Sequence, residues 1–108
     1  RLGVACGARP ETFAGLTGLG DLVTTCISPK GRNRSLGERI GKGMTAEEAQ
    51  SATQSVVEGV ATCRSVLALA ELHGVEMPIT RAVFEVIFEG KGVDTAIADL
   101  MKRRLKAE

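Results

Sequence analysis

The chain contains no tryptophan and no tyrosine, and its aromatic side chains are Phe13, Phe84 and Phe88 alone. Stacking platforms for nucleobases are therefore missing, and a core has to be assembled from Val, Leu, Ile and Ala. Soft ligands are scarce as well: one histidine, His73, and three cysteines, Cys6, Cys26 and Cys63, with no CxxC pair. An odd, unpaired set of this kind argues against a zinc site and reads as reduced, buried thiols of a cytoplasmic protein. No stretch of about 18 apolar residues occurs, and no basic-then-apolar leader, so neither a membrane span nor export is expected. Charge of one sign is not in excess, since 14 Lys and Arg stand against 13 Asp and Glu. A net +1 does not mark a polyanion binder.

What the chain does have is the ordinary globular balance, 44% hydrophobic and 25% charged over 108 residues. That length suits one domain able to bury roughly 60 to 65% of its unfolded surface. Arg1-Leu-Gly-Val-Ala-Cys-Gly7 reads as the end of a helix without its beginning, so the chain is expected to be a fragment. Pro10 opens a short helix to Thr17 with Phe13 and Leu16 on one face. Gly18 and Gly20 bracket a turn, and Asp21 to Cys26, although β-rich by propensity, has no strand to pair with and is assigned as helix or turn. After the loop Ser28-Pro-Lys-Gly31, a helix runs from Arg32 to Ile40 and stops at Gly41 or Gly43. Thr45-Ala-Glu-Glu48 is a capping box.

The longest element spans Ser55 to His73, with Val56, Val60, Cys63, Leu67 and Ala70 at alternating spacings of four and three on one face. Pro78 to Glu89 follows, with Ile79, Val83 and Ile87 on one stripe. A last helix from Asp94 to Lys106 carries Ile97, Leu100, Met101 and Leu105 and a basic final turn suited to the negative end of its dipole. The fold class is all-α, a bundle of six to seven helices.

Chemistry concentrates in few places. Lys30 to Lys42 holds Lys30, Arg32, Arg34, Arg39 and Lys42 against Glu38, a local +4. Within it, Gly31-Arg32-Asn33-Arg34 stands where a loop becomes a helix. Backbone N–H groups and the dipole's positive end favour an anion there, and a guanidinium beside a carboxamide adds planar donors that match phosphate oxygens. A solvated basic helix face is the plainer reading of the same residues. Asp21, after Gly18-Leu-Gly20, either presents a carboxylate to a ligand or caps the next helix. Ser55-Val-Val-Glu58 is a second capping pattern, so Glu58 has a structural reason to be present besides any ligand. His73 suits the exposed end of its helix. No GxGxxG follows a strand, and no nucleophile or general acid has a placed partner.

The runs Pro10-Glu-Thr-Phe-Ala-Gly-Leu-Thr-Gly-Leu-Gly-Asp-Leu-Val-Thr-Thr-Cys26, Ser28-Pro-Lys-Gly-Arg-Asn-Arg34, Val56-Val-Glu-Gly-Val60, Met77-Pro-Ile-Thr80 and Glu89-Gly-Lys91 resemble the C-terminal helical domain of bacterial NAD(P)-dependent glycerol-3-phosphate dehydrogenases. The resemblance spans nearly the whole chain. It implies a bundle like the C-terminal domain of 6-phosphogluconate dehydrogenase, working with an N-terminal Rossmann domain of the same polypeptide and with NAD or NADP held mainly by that domain. It implies a small phosphorylated substrate, dihydroxyacetone phosphate or sn-glycerol 3-phosphate, and a homodimer. By the same resemblance Asp21 positions the substrate and a catalytic lysine, Gly31, Arg32 and Asn33 hold the substrate phosphate, and Arg32, Val56 and Glu58 touch the cofactor. Bacterial members often carry Ser at the position of Gly31, so here only a backbone N–H could make that contact. The general-acid lysine belongs upstream of Asp21, beyond this chain, so 1–108 is expected to be the substrate-binding domain, inactive alone. Two other classes stay open: a helical nucleic-acid binder using the basic stretch, and a helical protein-interaction module without a ligand.

Overall fold

The structure, a computed structural model, describes residues 1–53 and 55–104. Among these residues it is all-α, with α1 Leu2–Ala5, α2 Pro10–Ala14, α3 Asp21–Ile27, α4 Arg32–Gly41, α5 Ala46–Ser51, α6 Glu58–Leu72, α7 Pro78–Phe88 and α8 Val93–Met101. A π-helical turn, Leu16–Gly20, joins α2 to α3. The helical bundle is as expected, and the chain also winds on around Gly18 and Gly20, where a plain turn was expected. Gly20 itself has helical angles, φ −62° and ψ −46°, so Asp21 enters a helix already under way.

The core is small and alanine-rich. Leu36, Ala49 and Val57 form its centre, with Ile40 and Val60 packed against them. On α6 the residues Cys63, Leu67 and Ala70 are buried, as the alternating spacing requires. Gly74, at φ +62°, adopts the left-handed conformation that ends that helix. The face starts later than the spacing implies, however. Val56 is 77% exposed and α6 begins at Glu58, with Val57 as its N-cap and no capping hydrogen bond from a side chain. Burying Val57 in the core cluster holds it in an extended conformation, and the Ser55 to Glu58 capping box therefore does not form.

The Thr45 box does form. The Glu48 amide donates to Thr45 Oγ1 at 3.2 Å, while the Thr45 amide donates to Glu48 Oε2 at 2.8 Å. The Thr45 amide, with the Thr45 hydroxyl that donates to the same oxygen at 2.9 Å, holds the Glu48 carboxyl below the usual carboxylate range. Farther along, Lys91 in the α7 to α8 connection bridges Asp99 Oδ2 at 2.7 Å and Glu85 Oε2 at 2.8 Å. Both carboxylates favour the charged ammonium, Asp99 more than Glu85, so Lys91 is pushed above its ordinary range. The Phe84 and Phe88 rings meet at a tilt of 44° with 4.9 Å between centroids, and the Arg64 guanidinium lies 4.0 Å above Phe88.

Two expectations need correction. Cys6 and Cys26 are exposed, because neither α1 nor α3 buries any residue. Only Cys63 is buried, and burial pushes its thiol up. The stripe residues Ile79, Val83 and Ile97 do not enter the core but line an open apolar groove of about 400 Å³ with Leu36 and Ile40. The last helix stops at Met101, with Lys102 as C-cap, so it has no basic final turn. Leu105 and Lys106 lie outside the described residues. No helix among the described residues is long and apolar enough to cross a membrane.

Candidate functional site

Arg32 and Asn33 occupy the first two positions of α4, after the extended Gly31. The amides of Arg32, Asn33 and Arg34 open the helix and have no intrahelical carbonyl to bond. Gly31 sits tightly over the end of α3: a side-chain carbon there would lie 3.2 Å from the carbonyl oxygens of both Thr25 and Ser28. Its own N–H donates to Ser28 O at 3.1 Å. A phosphate contact from Gly31 would require that bond to open or be shared.

The Arg32 side chain crosses to the start of α6. Its Nη1 donates to Val56 O at 3.3 Å, and Nη2 lies 3.8 Å from Glu58 Oε1. Both partners remain open to solvent, at 53% side-chain exposure for Arg32 and 76% for Glu58. Asn33 turns the same way. Its carboxamide lies against the backbone of Gly59, the second residue of α6, and no hydrogen bond ties it to another described residue. The beginnings of two helices, 10 and 15 residues long, thus meet around one guanidinium and one carboxamide. Their aligned peptide dipoles add positive potential at that spot, partly offset by Glu58.

Asp21 is exposed at the first position of α3 and makes no capping bond. It does not cap, and among the described residues no hydrogen bond or ion pair joins it to Arg32 or Asn33. Six residue steps of helix, about 9 Å at 1.5 Å each, separate it from Ile27, whose carbonyl accepts from Arg34 Nη1. The predicted residues therefore fall into a joined group, Gly31, Arg32, Asn33, Val56 and Glu58, and a separate Asp21.

The basic stretch is not a free surface. Arg34 closes the end of α3 through Ile27 O, and Arg39 donates to Thr53 Oγ1 at 2.8 Å and Ala49 O at 3.4 Å. Lys42 pairs with Glu38 at 2.6 Å. With Arg32, four of the five cations are thus engaged with neighbouring groups of the same chain.

Residues 1–98 match the family described as NAD-dependent glycerol-3-phosphate dehydrogenase C-terminus. The chain belongs to that family. Among curated relatives, a glycerol-3-phosphate dehydrogenase (NAD(P)+) of Streptomyces coelicolor is 55% identical across all of this chain and 32% of its own length. One of Mycobacterium tuberculosis is 56% identical, again across the whole chain and 32% of the relative. A solved structure of glycerol-3-phosphate dehydrogenase from Coxiella burnetii superposes with a TM-score of 0.90 at 40% identity, covering 95% of this chain and 32% of that one. The chain spans about a third of the length of the dehydrogenases it matches.

The roles of two residues in this arrangement were not read from the sequence. Arg34 ties α4 to the end of α3, and nothing distinguishes it from its basic neighbours before the fold is known. Gly59 does carry a signal: a glycine at the second position of a helix is a poor helix former, and its presence points to a close approach.

Proposed function

We propose that this chain is the substrate-binding C-terminal domain of an NAD(P)-dependent glycerol-3-phosphate dehydrogenase, which interconverts dihydroxyacetone phosphate and sn-glycerol 3-phosphate for phospholipid synthesis. The observation that carries the reading is the convergence of Arg32 and Asn33 with Val56 and Glu58 at two helix beginnings. A guanidinium gives charge-assisted, planar donation to phosphate oxygens, and Asn33 adds an amide donor beside it. The exposed Glu58 carboxylate and the Val56 carbonyl are acceptors, which suits hydroxyl or amide groups of a nicotinamide nucleotide. That cofactor, when bound, supplies the hydride. Asp21 stands apart, where a second part of the polypeptide brings the reacting end of the substrate and the general-acid lysine.

That second part is an N-terminal Rossmann domain of the same chain, which holds most of NAD or NADP and covers the apolar residues left open here. The protein acts as a cytoplasmic homodimer with no nucleic-acid partner, and residues 1–108 alone are inactive. In the complete enzyme, Arg32→Ala should raise KM for dihydroxyacetone phosphate about 10- to 150-fold, corresponding to about 1.5 to 3 kcal/mol for a hydrogen bond to a charged group. An unchanged KM in steady-state assays would contradict the phosphate role. A protein-interaction domain, by contrast, would show no substrate phenotype at Arg32 or Asn33.

A further inference from the structure

Resting on the phosphate-site reading, we infer that Gly59 is a positioning residue for the substrate, because its missing side chain leaves the space in which the Asn33 carboxamide lies. A Cβ at Gly59 would stand 2.9 Å from Asn33 Cγ and 3.2 Å from Nδ2, and closer still to Oδ1. Separations under about 3 Å are not sustained, so one side must move. Gly59 is in the first turn of a 15-residue helix and the backbone there is fixed by α6. Asn33 is exposed and its carboxamide swings about two soft torsions. The carboxamide moves, and the backbone stays.

The consequence separates stability from binding. Gly59 does not have a positive φ, so alanine fits the local backbone and is the better helix former. A substitution that leaves the fold intact or firmer should still displace one of the two side chains that define the anion site. Arg32 is held by Val56 and Glu58 and keeps its place. Gly59 therefore sets the angle between guanidinium and carboxamide, and so the geometry of the phosphate they hold jointly.

Asn33 is the only asparagine in the sequence, which makes its side-chain amide a unique label in the chain selectively enriched with nitrogen-15 asparagine. Gly59→Ala should shift that amide pair in NMR spectra while the melting temperature holds or rises. In the complete enzyme, Gly59→Ala should raise KM for dihydroxyacetone phosphate about tenfold, the order expected for one charge-assisted hydrogen bond. In an Asn33→Ala background the same change should add less than about twofold, since its steric partner is gone. An unmoved amide pair, or fully additive KM effects in the double variant, would overturn the positioning role. If Asn33→Ala leaves KM untouched, the phosphate reading itself fails, and a shifted amide pair would not rescue it.

Discussion

Residues 1–31 and 32–104 are both helical, yet they are built on different terms. All eight buried residues among those described, from Leu36 to Ala96, lie in the second segment. In the first, α1, α2, the π-helical turn and α3 bury none. Apolar content is not the difference, for Phe13, Leu16, Leu19, Leu22, Val23 and Ile27 are large and exposed. Hydrogen bonds to near neighbours in sequence suffice to wind the first segment. The second is held by helices that pack against one another across short connections. Local winding and tertiary packing are separable here, and helix in one region says nothing about core.

The largest expected contrast is in the cost of truncation. Leu67→Ala removes a side chain that is 7% exposed, and should cost about 2 to 5 kcal/mol. Leu22→Ala, at 59% exposure, should stay within about 0.5 kcal/mol. Urea unfolding of the 108-residue chain checks both, and equal losses would erase the distinction between the two segments. In the complete enzyme Leu22→Ala becomes costly if the N-terminal domain covers it.

Next in size is the capping box, which belongs to the second segment alone. Thr45→Ala should lower stability by about 1 kcal/mol, again by urea unfolding at neutral pH. The box also has a pH signature. Because the folded Glu48 carboxyl lies below its ordinary value of 4.5, its contribution is complete above that value and disappears as pH falls through the folded one. The stability gap between the native chain and Glu48→Gln should therefore close in acid, and a gap that widened below pH 4 would contradict the assigned bond.

The smallest effect is chemical rather than energetic. In the folded 108-residue chain, Cys6 and Cys26 should react promptly with a thiol reagent such as Ellman's, while Cys63, buried and with its thiol pushed up, lags. Three equal rates would mean that the second segment opens as readily as the first.

Much of this was legible in the sequence where a short-range rule decides the outcome. The spacing of Cys63, Leu67 and Ala70, the Thr45 box and the helix start at Arg32 each depend on residues a few places apart. What failed depended on contacts across the fold. Val56 looked like the first residue of an apolar face, but burying Val57 against Leu36 and Ala49 shifted the helix start. The apolar stripes of α7 and α8 could be read as core or as a surface for a second subunit, because spacing identifies a face and not what covers it. The candidate site was half legible for the same reason: Arg32 and Asn33 announce an anion by composition, while Gly59 acts through a neighbour 26 positions away.

The widened turn before α3 gives its two glycines unequal standing. A side-chain carbon on Gly18 would intrude to 2.6 Å from the Phe13 carbonyl carbon, a rigid backbone obstacle, whereas one on Gly20 would meet nothing nearer than the Leu16 Cδ2 methyl at 3.3 Å. Of two identical letters in a short signature, the first is a steric necessity and the second a permissive position. A methyl group at Gly20 should therefore be absorbed by a small shift of the Leu16 side chain, while at Gly18 it would force the path toward Asp21 to be redrawn.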